Sequence, residues 1–423
     1  MDPATFTLIL LVLAVISFLW EKIPVNLTIL LTLSILVLTR IVTPKQAVEG
    51  FASNTIIMLI GVVIVGSALF KTGVCDKVAS YAVKYAKTER SMIMSILVMS
   101  TLMSACLSNS GTVAVFIPII MGISASTKFS SSKLLMSAFL GAMSGGRLTL
   151  VGDAAINVLI GDQIKALGGS FGFFEISKIG VPLTLIMFVF MYFWGYRMLP
   201  DIKNVDVAEG LFATKEEKDK ECKWKQVLSV LILLVVFLGM IFEKQTGIPS
   251  HLVAVIGAVV VWLSGIFTEK QIYELVSIKT VILLGGMKPM ATALSKTGAA
   301  QKIADLLITI IGGSTNPYFI CIVIFVLTCL MTQFMSNVVT VTLLMPIIIA
   351  IANTINVKPE AMIMVLCIAS TMSILTPIAC PPANLIYDYG GYRFTDYFKS
   401  NIAMTVVFLV ACVILLPTIW PLY

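Results

Sequence analysis

Charged residues are scarce in this chain: Asp, Glu, Lys and Arg together make up only 12% of it. A soluble domain usually carries about 25% of such residues, so the composition excludes an ordinary soluble protein. His251 is the single histidine and the eight cysteines show no CxxC spacing, which disfavours a metal centre or a disulfide framework. The chain also lacks the Gly-x-x-x-x-Gly-Lys-Ser/Thr motif of nucleotide-driven pumps. It has no Ser/Lys pair, paired Asp or His-rich set typical of an intramembrane enzyme.

Apolar residues dominate instead, at 58% of the chain with a mean hydropathy of +1.01. A helix needs roughly 20 apolar residues to cross a bilayer, and the longest apolar runs are continuous rather than alternating. The composition therefore predicts an all-α integral membrane protein of the cell membrane. The first run lacks the basic region and cleavage site of a secretory signal, so we expect a retained span. The runs predicted to form helices are Thr7–Trp20, Val25–Leu38, Ile179–Trp194, Val227–Ile241 and Ala403–Pro417.

Two short polar segments interrupt the apolar sequence at matching places in the two halves. Segment 108–118 begins Ser-Asn-Ser and segment 336–346 begins Ser-Asn-Val, and both carry Thr at the fifth position and Pro at the eleventh. In a membrane protein, paired interruptions at corresponding positions are the best sequence indication of a transporter's binding site.

The duplication extends beyond these segments. Residues 54–73 return in similar form as 279–298, and an amphipathic stretch follows each copy, at 74–90 and 299–313. One supersecondary unit is therefore present twice. The charged stretch 200–225 divides the halves and is typical of a solvated linker.

The loop lysines and arginines predict how the two halves are oriented. If each Ser-Asn segment lies at the tip of a re-entrant hairpin, most basic loop residues fall on one face, which the positive-inside rule makes cytoplasmic. This asymmetry explains the formal charge of +7, and no aromatic-basic pattern indicates nucleic-acid binding. The first hairpin then opens inward and the second outward, so the repeats are inverted. The predicted organisation is N-terminal scaffold spans 1–50, a first repeat 51–199 with hairpin 91–126 and broken helix 134–160, a cytoplasmic linker 200–225, scaffold spans 226–270, and a second repeat 271–423 with hairpin 317–355, broken helix 360–388 and last span 400–421.

The polar segments contain groups that suit both a cation and an anion. Ser104 and Thr332 precede the two Ser-Asn pairs by one helical turn, so their hydroxyls face the same spot as the tips. Hydroxyl and amide oxygens suit a weakly held monovalent cation such as sodium, whereas the N-terminus of the helix after each tip suits an anion. The alternative is that these side chains only form interhelical hydrogen bonds.

Segments 145–157 and 375–385 are rich in Gly or Pro and predict a broken helix in each half, although Pro-kinked structural helices are common. Charges inside the membrane are functional candidates. Arg147 either pairs structurally with Asp153 or binds the substrate anion, with Asp153 titrating in proton coupling. Lys288 either extends to the membrane surface or pairs at a helix end, or balances charge.

From about residue 7 to 421 the chain resembles the divalent anion/sodium symporter family, whose members carry dicarboxylates, citrate or sulfate. The resemblance is carried by the paired Ser-Asn motifs and by segments 171–182 and 390–397. It implies an inverted-repeat homodimer in which a transport domain moves as an elevator against a fixed scaffold. It also implies sodium as the coupling ion, with no cofactor.

The resemblance implies the following residue roles. The first sodium site would use Ser104, Ser108, Asn109 and the Gly152 backbone, and the second Thr332, Met335, Asn337 and the Ala379 backbone. The predicted substrate-binding residues are Ser108, Asn109, Ser110, Thr112, Asp153, Ser336, Asn337, Val338, Thr340, Cys380 and Pro381.

Four positions depart from the family pattern. The family usually has Thr as the third tip residue, where this chain has Ser110 and Val338, and Asp153 and Cys380 stand where hydroxyl side chains are usual. These departures affect the prediction of which anion is carried more than the prediction that the protein is a transporter. The sequence thus predicts a sodium-coupled secondary transporter of small anions, of di- or tricarboxylate or sulfate type. A proton-coupled or exchange-type carrier is the alternative, and a channel is a weaker one.

Overall fold

The computed structural model describes residues 2–20, 22–75, 77, 88–127, 129–202, 223–310 and 316–422. Within these residues the regular structure is entirely helical, without a β-strand, which confirms the predicted all-α class. Most of the predicted linker 200–225, most of the amphipathic stretch 74–90 and the end of the stretch 299–313 lie outside the described residues.

The described helices fall into two halves on either side of the linker. The first half contains α1 Pro3–Trp20, α2 Val25–Leu38, α3 Pro44–Glu49, α4 Asn54–Lys71, α5 Glu89–Ser104, α6 Asn109–Ser126, α7 Ser131–Gly145, α8 Ala154–Ala166, α9 Ser177–Phe193 and the 3₁₀ turn Gly195–Arg197. The second half contains α10 Lys223–Ile241, α11 Glu243–Thr246, α12 Ser250–Leu263, α13 Glu269–Leu275, α14 Ile278–Lys296, α15 Ala299–Ile310, α16 Pro317–Met331, α17 Asn337–Thr354, α18 Pro359–Ser370, α19 Pro381–Tyr389 and α20 Phe394–Ile419.

The same N-terminal capping interaction occurs at equivalent helices of the two halves. Thr43 caps α3 by accepting from the Gln46 backbone N–H, while the Gln46 side chain accepts from the Thr43 N–H. Thr268 and Gln271 form the same reciprocal cap on α13. Such a cap satisfies two orphan N–H groups at a helix start. Thus α3–α4 correspond to α13–α14.

Two glycines at equivalent positions allow equivalent helix crossings. Helix α4 packs on α12, and a Cβ added at Gly61 would lie 2.5 Å from the Ala254 backbone. Helix α14 packs on α2, and a Cβ added at Gly286 would lie 2.3 Å from the Ile29 side chain. Each half thus packs its Gly-bearing helix against the other half, as expected of two repeats related by a pseudo-two-fold axis.

The helices divide into full-length spans and shorter segments. Four described helical stretches are long and apolar enough to cross a membrane, and α13 with α14 makes a fifth span bent by 45°. Seven further apolar helices are shorter. Short and interrupted helices are expected where a transporter brings irregular backbone to the middle of the membrane, since such backbone survives only inside protein or beside a cavity.

The helical interruptions lie where the Ser-Asn and Gly/Pro segments occur. The predicted hairpin 91–126 corresponds to α5, a short tip and α6, and 317–355 corresponds to α16, a second tip and α17. The predicted broken helices correspond to α7–α8 and α18–α19, each with a non-helical break between its two parts. The face to which each hairpin opens stays a prediction. The last helix begins at Phe394, ahead of the predicted 400, because the Asp396 carboxylate accepts from the Arg393 N–H and caps it.

Two helices form the centre of the molecule. Residues 134–145 of α7 and 361–370 of α18 are buried on every side, and both arms of each tip pack against them. Apolar side chains are exposed on the outer helices α1, α2, α9, α10 and α12, for example Leu13, Leu31 and Val235. An outer apolar surface of this kind faces lipid.

Candidate functional site

A cavity of about 510 Å³ lies where the two tips meet the two breaks. Its other walls come from residues 59–70 of α4 and 277–283 at the beginning of α14. Sequence-predicted residues that line it are Ser108, Asn109, Ser110, Gly152, Asp153, Ser336, Asn337, Val338, Ala379, Cys380 and Pro381. Residues far apart in the chain are thus brought to one chamber.

Each tip is built by the same local chemistry. The Ser108 hydroxyl accepts from the Gly111 N–H at 3.2 Å and caps α6, and the Ser336 hydroxyl accepts from the Val339 N–H at 3.3 Å and caps α17. A serine at this position satisfies one of the N–H groups that a helix start leaves free. The Ser of each Ser-Asn pair therefore fixes where the second arm begins.

The hydroxyl one turn earlier holds the asparagine in both halves. The Ser104 Oγ donates to Asn109 Oδ1 at 2.7 Å, and the Thr332 Oγ1 donates to Asn337 Oδ1 at 2.7 Å. Neither Ser104 nor Thr332 lines the cavity, and both are fully buried. They lie directly behind the asparagines that do line it.

The two half-sites differ on the opposite side of each asparagine. Asn109 Nδ2 donates to Asp153 Oδ2 at 3.4 Å and lies 3.8 Å from the Met143 sulfur. Asn337 Nδ2 instead donates to the Ser373 hydroxyl at 3.1 Å. The first half-site therefore contains a carboxylate, whereas the second contains neutral oxygens.

Gly152 lies at a point where helix-end carbonyls converge. A Cβ added there would be 2.8 Å from the Gly145 carbonyl oxygen and 2.9 Å from that of Ser104. Both carbonyls belong to the last residue of a helix, where partners within the same helix are missing, and the Gly145 carbonyl accepts from the Leu148 N–H of the break at 3.0 Å. Carbonyl oxygens beside the Asn109 amide form the kind of oxygen-rich site that hard cations prefer.

Residues not singled out from the sequence tie the breaks to the tips. The Thr149 hydroxyl donates to the Ala105 carbonyl, and the Thr376 hydroxyl donates to the Gln333 carbonyl at 2.9 Å. Gln333 further donates to the Met372 carbonyl at 2.8 Å and accepts from the Leu375 N–H at 3.0 Å. Thr149 and Thr376 occupy equivalent positions in the two breaks, and this repetition in the sequence could have identified both residues.

Side-chain amides from neighbouring helices hold the break carbonyls. Asn157 Nδ2 donates to the carbonyls of Gly146 at 2.8 Å and Thr149 at 2.9 Å. Asn401 Nδ2 donates to the Ile374 carbonyl at 2.8 Å. Buried backbone groups without a partner are costly, so these amides allow the helices to stop inside the molecule.

Several predicted site residues lie elsewhere. Thr112 and Thr340 are buried in the first turns of α6 and α17, do not line the cavity, and have hydroxyls without a hydrogen-bond partner among the described residues. Met335 is also buried behind the cavity wall. These three buried side chains therefore make no direct contact with the cavity.

The three intramembrane charges lie in different surroundings. No ion pair within 4 Å joins Arg147 and Asp153 among the described residues, but the two buried groups are close enough for a Coulombic interaction, so their pairing across the break stays a prediction. The Arg147 guanidinium is buried over the Phe408 ring, 4.9 Å from its centroid. Lys288 is exposed on α14 and does not line the cavity. Of the three, only Asp153 lies at the cavity wall.

Comparison with known proteins agrees with this architecture. The family model described as "Citrate transporter" matches residues 15–247 and 237–423. An uncharacterized transporter of Haemophilus influenzae is 24% identical over 97% of this chain and 90% of its own length. The sodium-dependent dicarboxylate transporter SdcS of Staphylococcus saprophyticus is 22% identical over 99% of this chain and 87% of its own.

A solved structure shares the fold. The chain superposes on MtrF of Neisseria gonorrhoeae, described as representing a class of antimetabolite efflux pumps, with a TM-score of 0.63 at 14% identity. The match covers 99% of this chain and 95% of the other. At that identity the likeness shows the fold alone.

The fold and the family match together define a multi-pass transporter of the cell membrane whose two halves repeat the same helical unit. The chain belongs to the citrate transporter family, whose model matches nearly its whole length. The predicted resemblance to divalent anion/sodium symporters is confirmed by these matches.

Proposed function

We propose that this protein is a secondary active transporter that carries a small di- or tricarboxylate anion, such as citrate, together with sodium ions. The observation that carries the proposal is the convergence of both Ser-Asn tips and both breaks on one cavity. Matched half-sites at the interface of inverted repeats are where transporters of this kind bind substrate and coupling ions. The name of the relative SdcS supports the same substrate class and the same ion.

The anion would be held by helix N-termini. Four helices, α6, α8, α17 and α19, begin at the cavity wall, at Asn109, Ala154, Asn337 and Pro381. Each helix start presents the positive end of its dipole, and the starts of α6, α8 and α17 also present N–H groups. Helix α19 begins with Pro381 and Pro382, which have no N–H, so it contributes its dipole alone. Four positive helix ends around one chamber favour a ligand with more than one negative group. The Ser110 hydroxyl adds a donor in the first half, where Val338 offers none in the second.

The sodium ions would be held behind the anion, where helices end. In the first half, the Asn109 amide oxygen, the Ser104 hydroxyl and the carbonyls near Gly152 provide neutral oxygens, with the Asp153 carboxylate beside them. The second site would be formed by Thr332, Met335 and Asn337 of the other tip, together with the Ala379 backbone of the second break. Binding of a cation next to the anion lowers the cost of bringing either into the membrane.

Movement would proceed by alternating access. The cavity is lined by the C-terminal half of α4 and the N-terminal half of α14. In inverted repeats these two halves lie on the same face, which the positive-inside rule assigns to the cytoplasm. At the other end of α4, the Thr55 hydroxyl donates to the Asp162 carboxylate of α8. We propose that this is the inward-facing state of an elevator-type homodimer in which the tips and breaks move against a fixed scaffold.

Reconstituted uptake tests this function. Purified protein in proteoliposomes would be given labelled citrate, succinate or sulfate, with sodium, proton and counter-substrate gradients imposed separately. We expect saturable uptake of a carboxylate anion that depends on an inward sodium gradient. Uptake driven equally well by a proton gradient or by exchange without sodium would contradict sodium coupling. Non-saturable conduction would indicate a channel instead.

A further inference from the structure

Two charged side chains line the cavity, and they belong to different elements of its wall. Among the described residues that line it, Asp153 is the acid and Lys279 is the base. Asp153 lies on the break between α7 and α8, beside the Asn109 amide. Lys279 lies in the first turn of α14, on the wall formed by α4 and α14, with its side chain exposed.

Lys279 is placed to act on an anion. The beginning of α14 is fixed by Ser277, whose hydroxyl accepts from the Thr280 N–H at 3.2 Å and from the Thr280 hydroxyl at 3.0 Å. The positive end of this helix dipole and the ammonium group of Lys279 therefore reinforce each other at the cavity wall. A charged wall beside a low-dielectric chamber focuses the field and raises the local concentration of an oppositely charged ligand.

The equivalent position in the other repeat carries no charge. Residues 279–286 correspond to 54–61, so Asn54, the exposed first residue of α4, stands where the second half has Lys279. The equivalence of Gly61 and Gly286 at the two helix crossings supports this alignment. When the tips face the other side of the membrane, the inverted symmetry would bring Asn54, not a lysine, to the mouth of the cavity.

We propose that Lys279 is a side-specific anion-steering residue, which attracts the carboxylate substrate to the cavity on the cytoplasmic face and has no charged counterpart on the opposite face. The inference rests on the proposed anion transport, because it assigns a residue to that same cavity. It makes the two faces of the carrier unequal in affinity, although the repeats that form them are equivalent.

Sided transport measurements test the proposal. Labelled citrate uptake would be measured in inside-out and right-side-out membrane vesicles containing wild type, Lys279→Asn, Lys279→Arg and Asn54→Lys. In Lys279→Asn we expect the KM at the cytoplasmic face to rise by about threefold to tenfold at low ionic strength, and the difference to shrink as salt screens the charge. The KM of Lys279→Asn at the opposite face should not change. Lys279→Arg keeps the positive charge and should show the wild-type KM at the cytoplasmic face, and Asn54→Lys should lower the KM at the opposite face.

Lys270 provides the matched control. It is an exposed lysine on the preceding helix α13, outside the cavity wall, so Lys270→Asn removes the same charge and should leave both KM values unchanged. An unchanged KM in Lys279→Asn, or an equal rise at both faces, would overturn the steering role while leaving transport intact. Wild-type vesicles that take up no citrate, succinate or sulfate would contradict the proposed function, and the steering role with it.

Discussion

At the residue scale, the site depends on side chains that hold one another rather than on isolated ligands. Asn109 and Asn337 each receive a hydrogen bond from the hydroxyl one turn earlier and donate one to the neighbouring break. Each amide thus joins a tip to a break while facing the cavity. This double role explains why a single Ser-Asn pair suffices as the core of each half-site.

Removal of either amide should stop transport without unfolding the protein. In Asn109→Ala and Asn337→Ala, we expect loss of sodium-dependent uptake, because each variant loses an oxygen of the proposed site and leaves buried partners unsatisfied at a cost of about 1–3 kcal/mol. Each ~1.4 kcal/mol is about tenfold in affinity. Uptake by purified variants and their melting temperatures would be compared with Asn353→Ala, an exposed asparagine at the end of α17. Robust uptake by either tip variant would refute the two-tip site.

Gly152 should tolerate no side chain. In Gly152→Ala the new methyl would stand within 3 Å of two carbonyl oxygens, so the break must move away from the tip and the proposed first cation site must change shape. We expect a weaker response of uptake to sodium, measured as the half-saturating sodium concentration. Gly122→Ala is the matched control, since nothing lies within 4 Å of a Cβ there and Ala favours a helix by about 1 kcal/mol. Equal sodium dependence in both variants would count against a cation site at Gly152.

At the element scale, local chemistry sets the helix ends and long-range contacts set their arrangement. The starts of α6 and α17 could be predicted because Ser is a favoured N-cap residue and an apolar run follows each Ser-Asn pair. The contacts of Thr149 with Ala105 could not, because they join segments that are distant along the chain. The position of Arg147 over Phe408 could not be predicted for the same reason, because it depends on where α20 packs.

The threonines of the two breaks should therefore matter for stability and rate together. Thr149→Val and Thr376→Val keep the side-chain volume but leave the Ala105 or Gln333 carbonyl without its donor, which costs about 1–3 kcal/mol. We expect a lower melting temperature and slower uptake in both. Thr418→Val, which removes an exposed hydroxyl bonded within its own helix, should change neither. A wild-type rate in both break variants would show that these contacts do not position the tips.

At the scale of the whole molecule, helix α4 makes different contacts at its two ends. The C-terminal half of α4 lines the open cavity, whereas Thr55 at its other end bonds to Asp162 of α8. Because α8 follows the first break, movement of the tips away from their present position must separate these two residues. The repeats are equivalent, as the paired caps and paired glycines show, and the proposed alternating access requires the same chain to adopt the opposite arrangement.

A cross-link between α4 and α8 should consequently arrest the carrier. In the double variant Thr55→Cys with Asp162→Cys, two side chains that touch in this state are replaced by thiols, and oxidation should join them with little backbone movement. We expect uptake into proteoliposomes to stop on oxidation and to return after reduction, while each single variant stays insensitive to oxidant. If the cross-link forms in full and uptake continues at the rate measured after reduction of the thiols, α8 does not leave α4 during transport. An elevator movement of the tips against α4 is then wrong.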